Sequence, residues 1–503
     1  MVATAQLWIN GEPRPSSTDK TFDVVNGHTL EVVTRASSAS IEDVYEAIEV
    51  AHKAQPEWEA VPWRTKRELF IRGAQLINTP KYADLVTEAV CQETANIESW
   101  GKAESWLAST YFMDACNAVT QLAGETMPSK DIGGTVLVER RPHGTVFAMP
   151  PVNSPFYLAA RSIIVPLSFG NTVLFKPSEQ SPRCAEILVQ ALYDAGFPKG
   201  VVNLIHVARE DAPRVVAEII GHKLIRHINF SGSDVVGRII AQEAAKYLKP
   251  CVLELGGKSA AIVLNDANVE EAAKAILFGG LANSGQICMS TERVIVQRGI
   301  SDSLIQTLKT MVKQIHPGID SSAKVPPLVS QSSAERVISL LKDSVERGAE
   351  MIVGDLKREG SMVKPHILLG GQQGWPAWDK ESFGPMFFVK TVDTEEEAID
   401  LANATDYTLM AAIWTRDIQK ALRLGRKIRT GTELDLPSEP LTNISSGNVN
   451  INGPTFSAEF GVGLHGLGGA TGYGRFDVED FTQRHIMVIA PPNLQYPSVV
   501  NDV

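Results

Sequence analysis

Two residues of this chain combine reactive chemistry with an unusual setting. Cys288 lies in NSGQICMSTERVIV, among small and polar neighbours, between an expected helix and an expected strand. A thiolate there is a strong nucleophile that needs only modest help from a helix end or from nearby amides. Glu254 lies in VLELGGKSA, an acid in an apolar strand. A charged carboxylate is costly to bury there, and one held in place can act as a general base. Gly256 and Gly257 follow two and three residues later and let another backbone or a ligand come close. Each residue has an ordinary alternative: a core thiol for Cys288, half of a buried ion pair for Glu254.

Two further segments could hold a ligand. KPSE (176–179) ends an expected parallel strand, where doubly wound sheets bind their ligands. Lys176 and Glu179 could hold ribose hydroxyls there; the alternative is a solvated turn. FSGSDVVG (230–237) follows a strand and opens a helix, so Gly232 and Ser233 can present amides to a phosphate. The literal GxGxxG, GVGLHG (461–466), lacks the strand–turn–helix context and is rejected as a phosphate loop.

These groups need a scaffold. From about Ser40 to Gln121 apolar residues recur at helical spacing, including Trp63–Leu76 and Ala83–Val90. At Gly144 the rhythm changes. Strands at 145–149, 172–176, 201–207 and 225–230 alternate with helices at 157–167, 182–195, 212–220 and 234–245. That alternation predicts a doubly wound parallel sheet. A second alternating stretch, from Val252 to about Thr430, predicts another α/β domain. It has strands at 259–264, 293–297, 387–392 and 411–415, and helices from Val269 and at 302–315. Segment 432–447, with its prolines and hydroxyl residues, reads as a loop, as does 457–474 with its clustered glycines.

Composition narrows the function classes. A length of 503 residues exceeds one core, so two or more large domains are expected. The net charge of −11 disfavours nucleic acid and anionic membranes as partners. There is no apolar run long enough to span a bilayer and no secretory pattern at the N-terminus, so a cytoplasmic protein is expected. The cysteines at 91, 116, 184, 251 and 288 are odd in number and lack a CxxC pair, which predicts reduced thiols and no metal site.

Taken together, KPSE, FSGSDVVG, LELGGKS, GQICMSTERV and ESFGP resemble the aldehyde dehydrogenase superfamily in order and spacing, over roughly residues 5–490. KYLKPCVLELGGKS and GQICMSTERVIV look most like its salicylaldehyde and vanillin dehydrogenase branch. The resemblance implies that Cys288 attacks an aldehyde, with Asn153 of PVNSP and the Cys288 amide holding the oxyanion. Glu254 would then activate water against the thioester. Lys176, Ser178 and Glu179 would hold the adenosine side of NAD. Gly232, Ser233 and Gly237 would lie at the pyrophosphate and its helix. Glu381 and Phe383 would hold the nicotinamide ribose and ring, and Leu255 and Gly256 would also bind the cofactor. Glu179 favours NAD by repelling a 2′-phosphate, while NADP stays open. Arg161 is a candidate substrate contact, with a structural ion pair as the alternative.

The implied fold is two doubly wound α/β domains, a Rossmann-like cofactor domain (1–125 and 145–253) and a catalytic domain (254–477), with a small β oligomerisation arm (126–144 and 478–497). The arm strands VLVERR (136–141) and HIMVIA (485–490) are expected to pair with a partner subunit, giving a homodimer or homotetramer. Three features depart from the family pattern. Val152 replaces a tryptophan, 432–447 is an atypical inserted loop, and LGGATGYGR (467–475) keeps Arg475 but lacks the usual lysine. They support a rival reading: an impaired homologue that binds dinucleotide, or serves as a scaffold, with little turnover.

Overall fold

The computed structural model describes residues 2–428, 447–456, 467–492 and 494. GVGLHG and residues 432–446 of the atypical loop lie outside the described residues.

The apolar runs after Gly144 form the expected parallel strands. TVFAM at Thr145–Met149 and TVLF at Thr172–Phe175 are buried at every position. Strands covered on both faces need no polar alternation. Phe147, Met149 and Leu174 face one core, with helices Ile41–Ala60 and Ala212–Gly221. Ala148, Val173 and Phe175 face the other, with helices Tyr157–Ser168 and Pro182–Asp194. That split is the two-residue period of a strand.

In the first sheet the strand order is Gly472–Tyr473, Cys251–Glu254, Ile225–Ser231, Thr145–Met149, Thr172–Phe175, Val202–Leu204, Leu7–Ile9, Glu12–Arg14. The five from Cys251–Glu254 to Val202–Leu204 run parallel. Winding starts at Thr145–Met149, proceeds outward, then returns to Ile225–Ser231 on its other side. The chain therefore switches direction beside Thr145–Met149, and the crevice at the strands' carboxyl ends is the natural ligand site.

The second sheet has the order Glu350–Val353, His366–Leu369, Met386–Val392, Thr291–Gln297, Ser259–Val263, Met410–Trp414, Asn448–Ile451. It is parallel except for the pair Glu350–Val353 and His366–Leu369.

Some expectations shift. The strand expected at 201–207 shortens to Val202–Leu204, and the helix expected at 302–315 spans Arg298–Val312. An N-terminal hairpin of Leu7–Ile9 and Glu12–Arg14, not expected from the sequence pattern, extends the first sheet. Thr135–Pro142 pairs with Thr482–Ile489 of the same chain, antiparallel over its whole length, and with Glu125–Pro128 on its other side. Thr135–Val138 is thus paired on both edges, whereas Glu139–Pro142 is paired on the side of Thr482–Ile489.

A layer of helices, Trp63–Ile77, Pro80–Thr94 and Glu98–Ala118, packs under the first sheet. Glu93 projects from it to cap the helix Pro182–Asp194, accepting from the amides of Arg183 (2.9 Å) and Cys184 (3.1 Å). Burial pushes its carboxyl up to about 7. A group raised on folding stabilises fully below its unfolded value and loses that contribution as pH climbs through the folded one. Urea midpoints measured across the interval from 4.5 to about 7 should therefore fall less in Glu93→Gln than in the parent.

Candidate active site

The two sheets approach the same crevice from opposite ends. The first sheet supplies residues from the carboxyl ends of its strands: Asn153 after Thr145–Met149, Lys176 to Glu179 after Thr172–Phe175, Gly232 and Ser233 after Ile225–Ser231, Glu254 at the end of Cys251–Glu254. The second supplies residues from the amino ends. Cys288 comes before Thr291–Gln297, and Glu381 and Phe383 before Met386–Val392.

At the centre, the Cys288 Sγ donates to Glu254 Oε1 at 3.1 Å. The thiol is half-buried and the carboxylate buried. Glu254's other oxygen accepts from Arg161 Nη2 at 2.7 Å, and the same nitrogen bonds Ser231 Oγ at 3.0 Å. The Arg161 guanidinium stacks over Phe476 at 4.3 Å. Arg161 is 2% exposed. Its ion-pair alternative is the one the structure places, behind Glu254 and away from solvent. Removing one partner of such a pair leaves an uncompensated buried charge, a loss of about 3–5 kcal/mol.

The approach of Cys288 to Glu254 depends on the glycines between the sheets. A Cβ on Gly257 would stand 2.0 Å from the Cys288 carbonyl oxygen, and one on Gly256 2.8 Å from the Glu381 carboxylate. The loop before Cys288 is tightly wound. Asn283, Ser284 and Gly285 all take positive φ, 48°, 57° and 70°. A Cβ on Gly285 would meet the Gly384 carbonyl at 2.1 Å. Such a run persists only where its surroundings fix it. Asn283 Nδ2 donates to the Asn153 carbonyl (2.9 Å), and Asn283 Oδ1 accepts from Asn96 (2.7 Å). Asn153 in turn donates through Nδ2 to the Gln286 carbonyl at 2.9 Å.

The residues expected to meet a dinucleotide lie after the strands Thr172–Phe175 and Ile225–Ser231 and before Met386–Val392. Lys176 is buried, its ammonium on the Pro177 carbonyl at 3.1 Å, and burial lowers its pKa. Ser178 and Glu179 lie partly buried beside it. Ser233 caps the helix Asp234–Lys246 by accepting from Val236 N. Gly232 donates its amide to the Glu254 carbonyl at 3.0 Å. Gly237 packs against Leu255, where a Cβ would stand 2.4 Å from a methyl. Glu381 accepts from the Gly257 amide at 3.0 Å, and burial plus the nearby Glu292 charge push its pKa up to about 8. The Gly232 amide is therefore not offered to a phosphate as expected; the Phe230 ring and the Glu381 carboxylate fill the space beside Gly232 and Gly256, and the helix start at Ser233 is the anion-favouring feature of that turn.

The aldehyde dehydrogenase family model matches residues 14–434. The chain belongs to the aldehyde dehydrogenase family. It is an NAD(P)-dependent aldehyde dehydrogenase. It is 35% identical to a salicylaldehyde dehydrogenase of Pseudomonas sp. (strain C18), over 98% of this chain and 99% of that one. A vanillin dehydrogenase of Pseudomonas sp. (strain HR199) is 36% identical over the same shares. The crystal structure of a salicylaldehyde dehydrogenase from Pseudomonas putida G7 complexed with salicylaldehyde superposes with a TM-score of 0.92 at 34% identity, covering 99% of this chain and all of that one.

Within this dehydrogenase the lysine-less 467–475 segment keeps a structural task. Gly472–Tyr473 pairs with Leu253 and Glu254, and Thr471 Oγ1 donates to the Gly256 carbonyl at 2.8 Å. Arg475 pairs with Asp477 at 2.7 Å. Several positioning groups went unread in the sequence. The buried Lys258–Glu292 pair is one; Glu292 receives the Ser382 amide at 2.9 Å and so anchors the loop of Glu381 and Phe383. Arg336, holding the Glu381 and Ser382 carbonyls, is another. Lys258 and Glu292 sit inside GGKS and STERV, so a charge next to an apolar strand in each motif was the available signal.

Because the Cys288 carbonyl occupies the space of a Gly257 side chain, Gly257→Ala should lower kcat about 100-fold, the scale of an ångström-sized misplacement. Steady-state kinetics beside a thermal melt would check this; a folded variant with parental kcat contradicts the packing account.

Proposed function

We propose that this enzyme oxidises an aromatic or similarly bulky apolar aldehyde to the carboxylic acid through a thioester on Cys288. The 3.1 Å contact between Cys288 Sγ and Glu254 Oε1 carries the reading. At that distance the carboxylate can take the thiol proton, leaving a thiolate to attack the aldehyde carbon. Asn153 has one amide hydrogen on Gln286 and a second for the oxyanion, with the Cys288 N–H as partner donor. A nicotinamide held by Glu381 and Phe383 would supply the acceptor for the hydride that leaves the same carbon. Glu254, held by Arg161, gives that first proton up to solvent and, as a carboxylate again, takes one from water as the water oxygen attacks the thioester; the C–S bond breaks, the proton passes to the departing Cys288 thiolate, and the acid is released.

The substrate class is supported by the surroundings of Cys288. Ile287, Met289, Leu409, Met410 and Leu467 form an apolar cluster, with Trp100 and Phe456 packed on it. The salicylaldehyde and vanillin relatives agree with an aryl group in that space. Lys176, Ser178 and Glu179 hold the adenosine ribose in this reading, Gly232, Ser233 and Gly237 border the pyrophosphate, and Glu381 and Phe383 hold the nicotinamide side. Glu179 makes NAD the preferred cofactor.

We place the enzyme in the cytoplasm as a homo-oligomer; among the described residues no helix is long and apolar enough to cross a membrane. The arm supports self-association: Ile486, Val488 and Ile489 of its outer strand are exposed at 59%, 64% and 55%.

Reduced nicotinamide formation with a panel of aromatic and aliphatic aldehydes tests the reading. Aromatic aldehydes should give the highest kcat/KM. Cys288→Ala should lose turnover while still binding NAD, and Glu254→Gln should accumulate acyl-enzyme, visible by intact mass. Full activity in Cys288→Ala would sink the mechanism, and no turnover from the folded parent would favour the impaired homologue. Replacing Glu179 by Gln should raise kcat/KM with NADP relative to NAD, by about tenfold if one charge repulsion is removed; an unchanged ratio takes Glu179 out of cofactor selection.

A further inference from the structure

The helix Tyr157–Ser168, which comes after the Asn153 loop, starts without a side-chain cap of its own. Its first amides are nevertheless occupied. Glu104, in the middle of the helix Glu98–Ala118, accepts through Oε2 from Phe156 N at 3.1 Å and from Tyr157 N at 2.7 Å. Glu104 is 0% exposed. A helix start leaves orphan amides that favour a carboxylate, so the contact is a cap delivered from another element.

Asn153 is thus gripped from two sides. Its carbonyl is held by Asn283, which is held by Asn96. Three residues further on, the backbone is held by Glu104. Asn96 and Glu104 both come from the helical layer, and both act on the short PVNSPF turn. The side chain of Asn153 meanwhile lies within reach of the Cys288 loop through Gln286.

We propose that Glu104 is a positioning residue for aldehyde oxidation, fixing the Asn153 amide at the oxyanion through the backbone it caps. The proposal rests on the reading of Asn153 as oxyanion donor. Burial pushes the Glu104 carboxyl up to about 7, yet the two amides need only an oxygen acceptor, in either protonation state. A glutamine supplies one.

The test is a kinetic cycle on the full-length enzyme with NAD and the aromatic aldehyde it turns over fastest. Glu104→Ala should lower kcat about tenfold or more while KM moves little, because the lost interaction acts in the transition state. Glu104→Gln should keep kcat within about twofold, since the acceptor is retained. In an Asn153→Ala background, Glu104→Ala should add almost nothing, the signature of two residues acting as one unit. If the alanine variant does not fold, Glu104→Asp, one methylene too short to reach both amides, carries the same expectation. Unchanged kcat in the alanine or aspartate variant, or a loss just as large in the Asn153→Ala background, overturns the proposal. Parental kcat in Asn153→Ala alone instead overturns the oxyanion reading beneath it.

Discussion

Two glycines hold the place where this molecule's halves cross. Glu254 ends the last parallel strand of the first sheet, and Ser259 begins the first strand of the second. Between them the Cys288 backbone presses on Gly257 from one side and the Glu381 carboxylate on Gly256 from the other. No side chain fits at either position, so the Cys288 thiol and the Glu254 and Glu381 carboxylates share one small volume. The carboxyl ends of one sheet and the amino ends of the other can meet there only because the connection is this short.

Buried charge does the rest of the positioning. Arg161 fixes the Glu254 carboxylate, Lys258 and Glu292 fix the loop of Glu381 and Phe383, and Glu104 and Glu93 cap the helices that come after the Asn153 and Glu179 segments. A buried ion pair adds little net stability over well-packed apolar residues. Its contribution is geometry: each partner has one place where its desolvation is compensated. The two capping carboxylates show the same logic with neutral donors, and their raised pKa values record the desolvation they bear.

Much of this was legible in the sequence, and the pattern of misses has physical causes. The α/β alternation after Gly144 declared itself because buried parallel strands are short apolar runs. Cys288, Glu254 and the two glycines stood out because each contradicts its surroundings. Glu104 did not, since an acid on a helix reads as a solvated face until a second element covers it. Lys258 and Glu292 were hidden for a similar reason: neither looks buried until two strands 34 residues apart lie in register. The N-terminal hairpin carried a readable signal in Asn10–Gly11, whose φ values of 56° and 75° suit a two-residue turn, but its strands of three residues are too short for periodicity to show. The pairing of the two arm strands with each other was not legible, because apolar alternation marks a strand without naming its neighbour.

The strand Gly472–Tyr473 lies on the outer edge of the first sheet, although the rest of that sheet is complete by Glu254. During synthesis the Cys251–Glu254 strand therefore emerges with an open side, and stays so while more than two hundred residues of the second domain are made. An unpaired strand edge is an aggregation template. The order of the chain thus sets a timetable: the first sheet can begin folding early, but its edge, and the backbone under Glu254, is sealed only after the strands of the second sheet have been made.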